Sequence, residues 1–555
     1  MIRSSFAFFG LFVGLYLLTQ LISVVDRQWD LTQDKRYTLS QATHTTLEKI
    51  DQPITIDVLL AGDLPPNYQR LRDELSLLLN EMTRVNDWIQ YNFIDPFEGD
   101  QDREQLLQEL YSFGLTPEVE IDEASQSTAQ TIVVPWLIIN RPNNQKSTRV
   151  SLLQKNLGDA PEERIEQSIQ QLEYHLVDGF HRLLLTEKKR IAVIRSHNTS
   201  SDQAMMSLLQ DLRPYYNLAS FDLKAFPTAP AKTMENLLRF DMVLLSNPKA
   251  AFTTAEKFML DQFMQAGKSS LLLIDPVRVA QDSLFNLQGS AVAYPGNLAL
   301  DELLFAYGVR LNKDIVTDLY AAPIVLAQGE YSNSQYQPYP WVYHPLASPN
   351  TTHPIGNAVG NVVHQFVSSI DTLKSSLKKT VIVQTSERSK LRTPPFLIHL
   401  EEATKPLKPS LFTDPSRITG LLIEGKFPSL FTHRIHPFAW EKIPETQAAK
   451  MAIFADGNMA ENQTDKGKPL ELGYDKWTNN LYGNKPLLLN TIHYLMNQND
   501  RLLLRSKRVR LAFLDRIKVA DARTNTLGLA FGLPLLFLLV VALLMMRWRR
   551  SQFGQ

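Results

Sequence analysis

Residues 527–546, LGLAFGLPLLFLLVVALLMM, form a run of twenty without a charge, closed by Arg547, Trp548, Arg549 and Arg550. At ~1.5 Å rise per residue a helix of that length matches the ~30 Å hydrocarbon core of a bilayer, so the pattern predicts a transmembrane helix. Pro534 is compatible, because spanning helices accept proline more readily than soluble ones do. A second uncharged run, 6–25, follows Arg3. Its apolar part exceeds a signal-peptide core and no small-x-small site follows, which predicts an uncleaved anchor over 1–25 rather than a leader.

Two spans would put both termini on one side and 26–526 on the other. Arg3 and the cluster in the tail 547–555 argue for cytoplasmic termini. The juxtamembrane segment 501–526 argues the reverse, since Arg501, Arg505, Lys507, Arg508, Arg510, Arg516, Lys518 and Arg523 face only Asp515 and Asp521. Long domains translocate largely regardless of charge, which weakens that objection. Leucines interleave with these charges, so the segment suits either an amphipathic stretch near the membrane surface or a rim packed on its own domain. Arg505, Arg508 and Arg510 are its candidate contact residues.

Charge and composition narrow the function classes. Fifty-seven basic and fifty-eight acidic residues leave a net charge of -1, and no basic field points to nucleic acid. The chain has no cysteine, which excludes disulfides, thiolate metal sites and thiol catalysis. About five hundred residues between the runs suffice for two or more domains.

In chain order, Ser40 caps a short helix, 54–60 alternates as a strand, and Leu71, Leu75, Leu78, Met82 and Val85 share a helical face before a strand at 89–93. After a helix near 103–111, two strands at 131–140 and 148–153 form a hairpin, and Ile165, Ile169, Leu172, Leu176, Phe180 and Leu183 mark a long helix. That order predicts a thioredoxin-like domain within 26–187, without thiol chemistry because no thiol exists. Val134-Pro135 stands where such folds often place a cis-proline, with trans the default.

From 188 the pattern changes to continuous apolar strands, 191–194, 241–246 and 269–274, alternating with helices. Thr253-Thr254-Ala255-Glu256 reads as a capping box. This predicts a Rossmann-like open sheet over 188–500, completed by 451–454 and a helix at 486–497, with an insertion at about 331–445. The fold class is therefore α/β: two transmembrane helices flanking a thioredoxin-like domain and an open-sheet domain.

Several local patterns suggest sites. Gly267-Lys268-Ser269 resembles the end of a P-loop, but Gln262 stands where the upstream glycine belongs and the segment runs helix to strand, so Gly267 reads as a helix C-cap. His433 and His436 lack the acidic residue of a zinc helix and precede Pro437, which indicates a loop. No metal or cofactor site is expected. Asp275-Pro276 and Asp456-Gly457-Asn458 each follow an apolar strand, where α/β sheets bind ligands and where plain turns also occur. The stretch 331–349, with Trp341 and Tyr343 as candidate contact residues, is either a partner or sugar surface or an ordered buried loop.

Asp30-Leu31-Thr32 and Arg36-Tyr37-Thr38-Leu39-Ser40 open a second kind of signal. With Gly62-Asp63-Leu64-Pro65, Arg70-Leu71-Arg72, Leu172-Glu173-Tyr174 and Gly483-Asn484-Lys485-Pro486-Leu487-Leu488-Leu489-Asn490, the chain resembles the gliding-motility-associated ABC transporter auxiliary family, GldG. The resemblance implies a two-pass bacterial inner-membrane protein, periplasmic in bulk with cytoplasmic termini. It also implies a separate permease like GldF, a separate ATPase like GldA, and an α/β domain similar to class I glutamine amidotransferases. The amidotransferase nucleophile is a cysteine, so that chemistry is excluded here. The expected role is a non-catalytic auxiliary subunit whose domains bind substrate or partner proteins. The alternatives are an envelope polysaccharide hydrolase using Asp275 and Asp456 as acid and base, or a ligand receptor without transport.

Overall fold

The computed structural model describes residues 38–98, 102–121, 130–142, 146–153, 161–286, 289–328, 335–440, 446–498, 502 and 528–553. Two compact units are formed, Met1–Arg508 and Val509–Gln555.

The first unit begins with α1 (Gln41–Leu47), whose N-cap Ser40 accepts a hydrogen bond from Thr43 N at 3.2 Å. Strand β1 (Ile54–Val58) turns Ile54, Ile56 and Val58 to one buried face, the period-2 signature of a half-covered strand. Helix α2 (Pro66–Val85) starts on a proline, which needs no N–H there, and buries Leu71, Leu75, Leu79 and Met82 at helical spacing. Strand β2 (Ile89–Phe93), helix α3 (Arg103–Ser112), the hairpin strands β3 (Trp136–Arg141) and β4 (Lys146–Ser151), and helix α4 (Pro161–Leu184) follow. The sheet order is β2-β1-β3-β4, with β1 parallel to β2 and antiparallel to β3. This is the strand order of a thioredoxin-like sheet. Helix α4 lies so close to it that a Cβ at Gly179 would stand 2.6 Å from Val150 Cγ2 and 2.7 Å from Ile139 Cδ1.

The strand read from sequence as 131–140 is broken in two. Gln130–Val133 pairs with Glu118–Ile121 in a separate hairpin, and β3 starts at Trp136. Pro135 has no N–H to give a ladder, so the chain changes sheets there. The Val134–Pro135 bond is trans.

The second part of this unit is one ten-stranded sheet. Its strands are β5 (Arg190–Ile194), β6 (Asn217–Phe221), β7 (Met242–Ser246), β8 (Ser269–Leu273), β9 (Ala321–Gln328), β10 (Gln335–Pro349), β11 (Lys378–Gln384), β12 (Ile418–Lys426) and β13 (Ala448–Phe454), with the short Val362–Val363 beside β10. The order is β9-β10-β11-β12-β13-β8-β7-β5-β6. Strands β6, β5, β7, β8 and β13 are mutually parallel, and β12, β11, β10 and β9 continue the sheet antiparallel. Residues 331–445 thus supply three long strands to the sheet itself.

Helices α5 (Met206–Leu212), α6 (Pro230–Leu237), α7 (Thr254–Gln265) and α8 (Asn484–Leu495) belong to this part. Ala192, Ile194, Val243, Leu245 and Leu272 enter one core, while Ile191, Val193, Met242, Leu244, Leu271 and Leu273 enter another. Burial on both faces is why these strands read as unbroken apolar runs.

The second unit carries a π-helical turn, Gly528–Gly532, and α9 (Leu533–Phe553). It corrects the expectation of two transmembrane helices. Among the described residues no helix is long and apolar enough to cross a membrane. The helix proper starts after Gly532, and its uncharged part ends at Met546, so only 14 residues, or ~21 Å, precede Arg547. The expected two-pass inner-membrane placement is corrected on the same finding. The run 6–25 and the contact candidates Arg505, Arg508 and Arg510 lie outside the described residues.

Candidate functional site

The parallel half of the sheet has the order second, first, third, fourth, fifth, so connections leave in opposite directions between β5 and β7. In open α/β sheets the crevice outside the carboxyl ends of the strands at such a point is where ligands bind. The chain places an unusual set of polar residues there. His197, Asn198 and Asn247 adopt φ of 68°, 53° and 50°. Asparagine tolerates this left-handed region and histidine does so less readily, so the loop after β5 is held in place by its contacts. Those contacts are visible: Lys249 N and Ala250 N donate to His197 O at 2.7 and 3.0 Å, and the imidazole stacks on Phe252 with centroids 3.8 Å apart. His197 Nε2 donates to Glu256 Oε2 at 3.1 Å. Burial alone would raise the Glu256 carboxyl, but the bonds from His197 and Thr253 outweigh it and bring the pKa down to about 2.

Three carboxylates meet beside this loop. Asp456 Oδ2 accepts from His364 Nδ1 at 2.9 Å and Gln365 N at 3.0 Å, and its Oδ1 accepts from Asn458 N at 3.0 Å. With Nδ1 protonated, His364 Nε2 accepts from Thr419 Oγ1 at 3.0 Å. Asp275 Oδ1 accepts from Gly457 N at 2.5 Å. Burial first, then the Asp456 charge, raises the Asp275 carboxyl well above the usual carboxylate range. Glu461 Oε1 accepts from Ser200 Oγ at 2.6 Å and Asn247 Nδ2 at 3.2 Å. Position 457 has no room for a side chain, because a Cβ would stand 2.9 Å from both Asn247 Oδ1 and Asp275 Oδ2.

A cavity of about 900 Å³ opens above these groups. Asp456, Asn458 and Glu461 form its floor, the β9–β10 hairpin one wall, and the turn around Tyr474, Asp475 and Trp477 another. At the rim Tyr336 and Trp477 stack with centroids 6.0 Å apart and 28° between planes, both largely exposed. His344 also lines the cavity. Its Nε2 is buried without a partner, and burial holds its pKa down at about 4.

Of the residues singled out from sequence, Asp275 and Asp456 do converge at the strand ends. Trp341 and Tyr343 are 1% and 0% exposed and pack with Phe366 and Ile398, inside the protein rather than on a contact surface. Tyr343 donates to Glu402 at 2.8 Å and receives a bond from Arg392. Gly267 ends α7 at φ 75°, as a C-cap does, and His436 lies on Phe258. Sequence reasoning missed His197, His344, His364 and Glu461, which become neighbours only through the topology. Trp477 carried a readable signal, a tryptophan amid the polar turn residues Asp475, Lys476, Thr478 and Asn479.

The class that fold and site define is an α/β module with a preformed cavity at the carboxyl edge of a doubly wound sheet. Residues 188–491 match the family described as ABC-type uncharacterized transport system, and the chain belongs to this family of ABC transporter auxiliary proteins. It is thus a component of an ABC transport system with an auxiliary role. The match reaches that level and not the GldG family in particular. Residues 33–140 match a domain of unknown function, DUF7088. No curated protein matches the chain. Among solved structures the mmIFT52 N-terminal domain is similar at 14% identity and a TM-score of 0.33, covering 56% of this chain and 97% of that one.

Proposed function

We propose that the chain is the ligand-contacting auxiliary subunit of an ABC transport system linked to gliding motility, working beside a permease like GldF and an ATPase like GldA and catalysing nothing itself. The observation that carries this is the cavity at the carboxyl edge of the sheet, lying within the region that matches the transport family. The motility link rests on the sequence resemblance. The pair offered as acid and base of a hydrolase does not meet that reaction's requirement. A glycosidase needs an acid and a second carboxylate that both face the substrate. Asp275 does not line the cavity, and both oxygens of Asp456 are already engaged. Affinity purification of the full chain from its native cells, with identification of what accompanies it, tests the reading. A permease and an ATPase in defined ratio are expected. Their absence, or release of sugar from envelope polysaccharide by the purified chain, would overturn it.

A further inference from the structure

The cavity has a marked electrostatic character. Among its described lining residues are the carboxylates Glu401, Asp456, Glu461 and Asp475, and none is lysine or arginine. Five aromatic side chains, Phe285, Tyr336, Tyr474, Trp477 and Tyr482, are among the described lining residues. An anionic ligand would meet the like charge of these carboxylates. A neutral ligand would cover the carboxylates without a counter-charge, the costly arrangement for buried charge. Among the described residues no three His, Asp or Glu side chains stand where they could hold a metal ion together. A positive charge carried on an organic frame fits what remains.

We propose that this cavity takes an organic cation bearing a protonated amine, held by the carboxylate of Glu461 and the rings of Tyr336 and Trp477. The proposal deepens the reading of a ligand-contacting subunit and rests on it. The exposed stack of Tyr336 and Trp477 at the rim is a second observation beside the charge. Behind the floor the Asp275 carboxyl is pushed up, first by burial and then by the charge of Asp456, with Glu461 adding to it. A volume of about 900 Å³ is ample for an amine the size of a polyamine or an amino sugar.

Isothermal titration of the full chain with spermidine and glucosamine, against glucose and N-acetylglucosamine as uncharged counterparts, is the test. Both amines should bind, at least about tenfold tighter than the uncharged sugars, as the loss of one charge-assisted bond implies. Glu461→Gln and Trp477→Ala should each weaken spermidine about tenfold or more, while Glu235→Gln on the exposed side of α6 changes nothing. Circular dichroism of each variant guards against misfolding, and the selectivity of the unaltered chain needs no variant at all. Failure of both amines to bind, equal binding of the uncharged sugars, or indifference to Glu461→Gln and Trp477→Ala in folded protein would overturn the proposal. Co-purification with a permease and an ATPase is read separately, so a failed titration beside successful co-purification rejects the ligand and spares the subunit assignment.

Discussion

Asp275 shows how single residues here trade stability for a poised site. Its folded pKa is raised, so ionisation favours the unfolded chain and stability falls as the pH climbs above the ordinary carboxylate value. Asparagine keeps an oxygen for Gly457 N–H and removes the charge. Asp275→Asn should therefore gain stability relative to the parent as the pH rises from about 4 to about 8 in urea unfolding. A gap that stays flat with pH would contradict the assignment. Gly457→Ala should go the other way, because the added methyl meets two side-chain oxygens. A loss of about 1 to 3 kcal/mol is expected by the same measurement. Little of this was legible in sequence. Asp275 and Asp456 could be placed at strand ends, but His364 reaches Asp456 from 92 residues away, and no local pattern encodes that. The residues that carry the family resemblance, by contrast, have plain jobs. Ser40 N and Thr43 Oγ1 both donate to Glu173 Oε1, at 2.7 and 2.5 Å, and Asn484 exchanges two bonds with the backbone of Val363.

Elements were readable where local chemistry determined them. The capping box at the start of α7 is present in full, with Thr253 accepting from Glu256 N at 3.3 Å and Glu256 Oε2 accepting from Thr253 N at 2.7 Å. Thr253→Ala should cost about 1 kcal/mol. Glu256 has a depressed folded pKa, so its stabilisation is complete above 4.5 and is lost as the pH falls toward about 2. The stability gap between the parent and Glu256→Gln should close over that window, as followed by thermal melts. A gap unchanged down to pH 2 would show that Glu256 does not act through its charge. Strand β10 was harder to see, since Pro338, Pro340, Pro345 and Pro349 argue against any strand. It lies next to the outermost strand of the sheet, where its prolines oppose Val325, Pro323 and Ala321 and on the other side meet Val383, and where missing donors cost little. Those prolines hid the alternation that turns Trp341 and Tyr343 inward and leaves Tyr336 exposed.

At the scale of the whole molecule, the division into a four-stranded sheet and a larger mixed sheet follows from the change of pattern near Lys188, where half-covered strands give way to fully covered ones. The antiparallel half of the large sheet was invisible as such, because nothing local in 331–445 reveals which strand it joins. The run 527–546 had the composition of a span, yet its first residues wind as a π-turn and its arginines enter the helix. What emerges is a transport-system subunit whose distinguishing feature is a preformed acidic cavity at the carboxyl edge of its sheet. The most direct measurement is ATP hydrolysis by the assembled permease and ATPase, with the chain present or absent. Addition of the parent chain should change the turnover, and Trp477→Ala should abolish that change while still co-purifying. Turnover indifferent to the chain, or equally altered by parent and variant, would contradict the account.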